Sequence, residues 1–496
     1  MTDLLKKAYD PEIFRERGYK VVNIIADYLK ECLDKKDVKV YPGIPPEEML
    51  NMFAHDFKGS YVNDPANDLL LMSENALRLH HPGNIGHQVT PSLPLAALAD
   101  LFGSFLNNGM AVYETGPAAT VLEKIVINWL VKELGMTGNA DGIITSGGSL
   151  GNLTALLAAR QVKAGHDLWD QGMTHNERYA VLVSEESHYC VDRAIRIMGW
   201  GSKGVIKVPV NSDHRIDLNT LETKYREAMN DGVKVLAVVG TAGSTPTGTY
   251  DIMHKLADFC SDNNLWLHID AAHGGAAAIS GKYKHLVRGM ERADSVVIDF
   301  HKMFMAPALA TAVIFKNGEY SYRTFEQKAS YLYQEQSKSK SKSKSKSKSK
   351  SGSEGGNEGW YDSCKRTIEC TKRMMGAKIY IMLRTYGQQL FSNYVDVTFD
   401  SAKQFANMIR KNRDFELLTD PSCNIVCFRY VGGSKGSGLN DLNSNIRDRL
   451  LEDGSYYITQ TDIGDNIYLR ITVMNPFTGK EEFEGLLKKI WEVAGE

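Results

Sequence analysis

A chain of 496 residues with 43% hydrophobic and 24% charged side chains has the composition of a globular protein, long enough for two or three domains. Its formal net charge of −2 gives no overall attraction for nucleic acid or an anionic membrane surface. The N-terminus MTDLLKKAYDPEIF lacks a secretory apolar core, and no apolar run is long enough to span a bilayer, so neither a membrane nor a nucleic-acid partner is expected.

In chain order, the first predicted element is an amphipathic helix. EIFRERGYKVVNIIADYLKECL places Phe14, Val21, Val22, Ile25, Tyr28, Leu29 and Cys32 at helical intervals. Residues 1–90 are expected to form an N-terminal helical segment, packed on its own domain or contributing to a subunit interface. LPLAALADLFGSFL, interrupted by Asp100, reads as a buried helix. From about residue 90 to 315, short apolar runs alternate with helical patterns: DGIITSGGS, YAVLVSEES, KVLAVVGTAG, LWLHIDAA and ADSVVIDFHK. Near-continuous apolar runs fit strands buried on both faces, and the alternation predicts an α/β domain over 91–387 built on a mainly parallel sheet.

Residues 337–351 read SKSKSKSKSKSKSKS. Such a stretch cannot drive collapse and is expected to be a solvated loop, or less readily a polybasic tether. CTKRMMGAKIYIMLRTYG reads as a helix with a glycine stop. The helix in YVDVTFDSAKQFANMIRKN, the strands NIVCFRYV and IYLRITVM, and a closing amphipathic helix predict a small α+β domain over 388–496. Seven cysteines without Cys-x-x-Cys spacing argue against a disulfide framework and a zinc site; no metal is expected, and a reducing, cytoplasmic setting is the default.

In an open α/β sheet, ligands bind beyond the carboxyl ends of the strands. The unusual polar residues of this chain sit there. Asp270 closes LWLHID, where a carboxylate is costly unless it caps a helix or meets a positive partner. Lys302 closes ADSVVIDFHK in the same way. A lysine for a Schiff base and an acid for a pyridine nitrogen are what pyridoxal phosphate requires. TSGGSLGNLTALLAAR gives a strand, a glycine turn and a helix start, either an anion site or a tight packing turn. It has neither dinucleotide nor P-loop spacing. His188 follows another strand, where it is structural or lies against a ring.

Together these features resemble the group II pyridoxal-phosphate-dependent amino acid decarboxylases, the family of the aromatic-amino-acid, glutamate, cysteine-sulfinate and 2,4-diaminobutyrate enzymes. The resemblance runs from HHPGNIGHQV to LRITVMNPFTGKEEFEGLL, and SGGSLGNLTALLAAR, HIDAAHGG and DFHKM carry most of it. It implies the PLP-dependent transferase fold of type I, with a seven-stranded-type sheet, and a homodimer with active sites near the subunit interface. It makes Lys302 the lysine of the internal aldimine, Asp270 the partner of the ring nitrogen, Ala272 the small residue against the ring and His188 the stacked imidazole. Gly148, Ser149 and His301 match phosphate positions, and Thr241 matches a threonine near the ring hydroxyl. Arg470 looks like the holder of the substrate α-carboxylate. His87, in the HPGNIGHQVTPSLP segment, matches the part of the pocket that receives the substrate side chain.

The resemblance also implies the reaction: an L-amino acid joins the cofactor, loses CO2 through a quinonoid and leaves as an amine. Tyr331, in FEQKASYLYQEQ, matches the proton donor of the family's mobile loop. That loop, with the Ser-Lys repeat, is placed at about 323–359. Many members read Asn-Pro before the His-Lys pair, where this chain has Asp299 and Phe300. Because a carboxylate beside a phosphate is repulsive, Asp299 is expected to point elsewhere. A decarboxylating aldehyde synthase on the same scaffold is the nearest alternative. A catalytically silent dimeric scaffold, an aminotransferase and a nucleotide-binding module fit less well. The substrate side chain, whether acidic, diamino or aromatic, stays open.

Overall fold

The computed structural model describes residues 1–35, 38–55, 57–58, 64–174, 176–326, 361–432 and 438–495. The chain divides into two compact units. One comprises Met1–Pro91, Pro246–Gly248 and Asp396–Glu496, and the other Ser92–Thr245 and Thr249–Val395.

The second unit is built on seven strands: β1 (Asp141–Thr145), β2 (Tyr179–Ser184), β3 (Val205–Val208), β4 (Lys234–Thr241), β5 (Trp266–Asp270), β6 (Ser295–Asp299) and β7 (Thr311–Phe315). Their order across the sheet is β1-β7-β6-β5-β4-β2-β3. The five predicted apolar runs are β1, β2, β4, β5 and β6. The pairs β2–β3, β2–β4, β4–β5 and β5–β6 are parallel, while β7 runs antiparallel to both β6 and β1. The sheet is therefore mainly parallel, as expected. β-Branched side chains such as Val183, Val239, Val297 and Val313 fill one face together with Phe315. The helix Gly148–Lys163 lies over them through Ala155, Ala158 and Ala159, whose small side chains allow a close approach.

The small residues after Asp270 have a packing reason. A Cβ on Gly275 would stand 2.6 Å from Cγ1 of Ile298, so the turn beyond β5 can lie against β6 only with glycine there.

The first unit holds a four-stranded antiparallel sheet, in the order β10-β11-β9-β8, made of β8 (Phe415–Leu417), β9 (Ile425–Tyr430), β10 (Thr459–Ile463) and β11 (Asn466–Thr472). Phe405, Phe428, Ile471 and Phe483 form its core. The predicted glycine stop is Gly387, which has φ of 68° inside the helical stretch Met375–Lys411 and breaks it in two.

One expectation about burial changes. LPLAALADLFGSFL is a helix (Pro94–Leu106), but only Ala96 is buried. Leu98, Leu101, Phe102 and Phe105 are exposed. Likewise the amphipathic helix Pro11–Leu33 buries Cys32 alone. Among the described residues no helix is long and apolar enough to cross a membrane.

Candidate active site

At the carboxyl ends of β1, β2, β4, β5 and β6 the second unit encloses a cavity of about 330 Å³. Eight of the residues singled out from the sequence line it: Gly148, Ser149, His188, Thr241, Asp270, Ala272, His301 and Lys302. The parallel strands deliver them, since each ends at the same edge of the sheet.

Lys302 follows β6 by one turn, with its Nζ 3.1 Å from Oδ2 of Asp299. The surrounding protein disfavours its charge, but the Asp299 and Asp270 carboxylates outweigh this and hold the ammonium above the usual lysine range. Asp270 accepts from the backbone N–H of Ala272 through Oδ1 and from Nδ2 of Asn152 through Oδ2, both at 3.2 Å. Burial still raises its pKa above the usual carboxylate value, against the opposing pull of Lys302. A cation reaching this carboxylate would relieve that strain, which is the environment a protonated ring nitrogen needs.

His188 caps the helix Tyr189–Ile197, with Nδ1 accepting from the Cys190 N–H at 3.3 Å. The neutral ring therefore carries its proton on Nε2. Burial lowers its pKa, so that neutral form dominates at pH 7. The Thr241 hydroxyl is buried and has no hydrogen-bond partner among the described residues. An orphaned hydroxyl in a cavity wall is a ligand group in waiting.

The glycine turn builds the remaining wall. Gly147 has φ of 105°, a conformation open to glycine alone at little cost, and it launches the helix at Gly148. The free N–H groups of this first turn, with Ser149, can hold an anionic group. His301 places Nδ1 3.0 Å from the Ala310 carbonyl oxygen. Lysine, buried acid, orphaned hydroxyl, flat imidazole and anion cradle together fit pyridoxal 5′-phosphate.

Asp299 is a correction. It does not point elsewhere: it lines the same cavity, 2% exposed. Its carboxylate is satisfied there by the Thr311 hydroxyl and the Lys302 ammonium, which makes the buried position tenable. Asn152 and Cys190, which carry no expectation from the sequence, also line the cavity. Asn152 was readable: it lies one helical turn beyond Gly148 and so on the same face.

Arg470 and His87 belong to the other unit. Arg470 lies on β11, 5% exposed. Its Nη1 is 3.3 Å from Oγ1 of Thr459, while Nε and Nη2 have no partner among the described residues. Burial lowers its pKa. His87 packs near Tyr457, with ring centroids 5.8 Å apart; burial and then the Arg470 charge lower its pKa. Tyr331 and the Ser-Lys repeat lie outside the described residues.

A sequence model described as the pyridoxal-dependent decarboxylase conserved domain matches residues 80–431. The aromatic-L-amino-acid decarboxylase of Bacillus atrophaeus is 27% identical over 491 residues, covering 98% of this chain and 96% of the relative. The L-2,4-diaminobutyrate decarboxylase of Acinetobacter baumannii is 27% identical over 433 residues, covering 85% of this chain and 81% of the relative. Among solved structures, the glutamate decarboxylase domain of a Vibrio parahaemolyticus diaminobutyrate-pyruvate transaminase and L-2,4-diaminobutyrate decarboxylase superposes with a TM-score of 0.81. That structure is 26% identical, and the match covers 97% of this chain and 95% of that one.

Proposed function

This chain belongs to the pyridoxal-dependent decarboxylase family, and from that premise we propose that it releases the α-carboxylate of an L-amino acid as CO2 and forms the amine. The observation that carries this reading is that Lys302 and Asp270, from adjacent strand ends, line one cavity with the glycine turn at Gly148.

The bound cofactor would supply an electron sink for the pair freed when the bond between Cα and the carboxylate breaks. The protein's own groups do the rest. Lys302 would hold the cofactor through Nζ. Asp270 would keep the ring nitrogen protonated, His188 and Ala272 would pack on the ring, and Thr241 would hydrogen-bond its oxygen. Gly148, Ser149 and His301 would hold the phosphate. Arg470 grips the substrate carboxylate, and its two orphaned donors suit a planar anion. Fixing the carboxylate would orient the bond that breaks, so orientation is part of the rate. Tyr331 returns a proton to Cα, and His87 lies toward the substrate side chain.

The working form is a homodimer. Leu98, Leu101, Phe102 and Phe105 on one helix, with Phe14, Val22 and Ile25 on another, are exposed, and apolar faces of this kind mark interaction surfaces. Seven cysteines, none of them in a disulfide, suit the cytoplasm.

The test is CO2 release by the cofactor-loaded protein across the twenty amino acids, 2,4-diaminobutyrate, ornithine and cysteine sulfinate. An amine is expected as product. Equimolar ammonia and hydrogen peroxide with an aldehyde would move the chain to the aldehyde synthases, and no CO2 from any substrate would refute the proposal.

A further inference from the structure

Asp299 stands where a second anion must be accommodated. A Cβ placed on Gly148 would lie 3.1 Å from both Asp299 carboxylate oxygens, so this carboxylate presses against the first turn of the helix Gly148–Lys163. Any anion seated on that turn meets it. Retreat is blocked. The Asp299 N–H is bonded to the Ala272 carbonyl at 3.1 Å, its side chain accepts from Thr311, and Asp299 and Thr311 face each other in the β6–β7 register.

The surrounding charges do not offset the added anion. Lys302 lies 3.1 Å away and His301 Nε2 3.7 Å away. His188, Cys190 and Asp270 also face Asp299 across the cavity, and Asp270 is itself an acid. Lys302 brings one positive charge, and joining an aldehyde leaves at most that one charge. A phosphate dianion would add two negative charges to the carboxylate already present.

Resting on the reading of this cavity as a pyridoxal 5′-phosphate site, we infer that Asp299 makes cofactor capture consume a proton, which comes to lie between its carboxylate and the phosphate oxygen facing it. One proton enters from solvent and the carboxylate becomes a donor; the condensation at Lys302, with its loss of water, and the ring-nitrogen proton opposite Asp270 accompany capture in D299N and with pyridoxal alike, so the proton assigned to Asp299 is read as a difference. At Asp299→Asn the amide donates without a proton, so the coupling disappears.

The test mixes full-length apoprotein with pyridoxal 5′-phosphate in weak buffer containing a pH indicator. The pH is held about two units above the phosphate's second pKa of about 6. Wild-type uptake is expected to exceed that of D299N, and that with pyridoxal, which lacks the phosphate, by about one proton per site. The affinity of the wild type should fall about tenfold more per pH unit through this range than that of D299N. Equal uptake in D299N, or equal uptake with pyridoxal, overturns the inference. If D299N does not fold, the wild-type comparison of the two ligands decides alone, and equality again overturns it. A visible absorbance band that forms without this excess uptake sinks this inference and leaves the cofactor site intact. A wild type that develops no band, or one unchanged in K302A, takes both down.

Discussion

Asn152 donates from Nδ2 to Oδ2 of Asp270 at 3.2 Å, while its Oδ1 lies 2.7 Å from Nε2 of His268. The chain of contacts continues from His268 Nδ1 to Ser295 Oγ at 2.8 Å, and Trp266 Nε1 donates to the same oxygen at 2.8 Å. Its direction is fixed at both ends, because an indole N–H only donates and an ionised carboxylate only accepts. His268 therefore carries its proton on Nε2, and Ser295 donates to Nδ1. Four buried side chains thus aim one carboxylate.

Breaking this chain should loosen Asp270 without removing it. Asn152→Ala leaves the His268 N–H and one Asp270 oxygen unpaired, a loss on the order of 1–3 kcal/mol. Weaker cofactor retention and a lower melting temperature are expected, with Asn152→Asp no substitute because it brings a second carboxylate. Titration of cofactor into the apo variant checks this. Wild-type affinity in Asn152→Ala would contradict it.

Asp270 itself should be worth more. Asp270→Asn keeps the shape and removes the charge, and a fall in kcat on the order of 10²–10³ is expected, with Asp270→Glu recovering part of it. Steady-state assays on the best substrate read both.

His268 is fully buried, and burial pushes its pKa down to about 4. The unfolded chain takes up this proton near pH 6.5, so the native state loses stability as pH falls from about 6.5 toward about 4, by about 3 kcal/mol from this group. Buried Asp251, pushed up to about 6, acts in the opposite sense, because its folded form prefers the proton between its ordinary value and 6. Urea unfolding should therefore compare His268→Gln with wild type at each pH. The variant should show the flatter acid limb, and parallel curves would contradict the assignment.

Arg470 separates stability from function. Its buried guanidinium leaves Nε and Nη2 without partners among the described residues, so Arg470→Met should leave thermal stability unchanged or higher. Activity should fall on the order of 10²–10³, with KM raised. A variant that melts early and keeps full activity would remove Arg470 from substrate binding.

Much of this fold was legible because buried parallel strands announce themselves as apolar runs, and β4, KVLAVVGT, is the clearest. β7, TAVIF, looks the same, and its reversed direction depends on pairing with β1 and β6, which no local pattern encodes. Only Val208 is buried in β3, VIKV, at the sheet edge, which left too faint a signal. Lys302 and Asp270 were legible because charge at the end of a buried strand demands an explanation. Asp299 is not legible for a related reason: the Thr311 hydroxyl that holds its carboxylate comes from β7, whose pairing with β6 no local pattern encodes.

The most direct measurement is borohydride reduction of the cofactor-loaded protein followed by peptide mass analysis. A pyridoxyl-phosphate mass increment on the peptide containing Lys302 is expected, absent in K302A. An increment on a different lysine, or none at Lys302 in a protein that still releases CO2, would contradict the assignment.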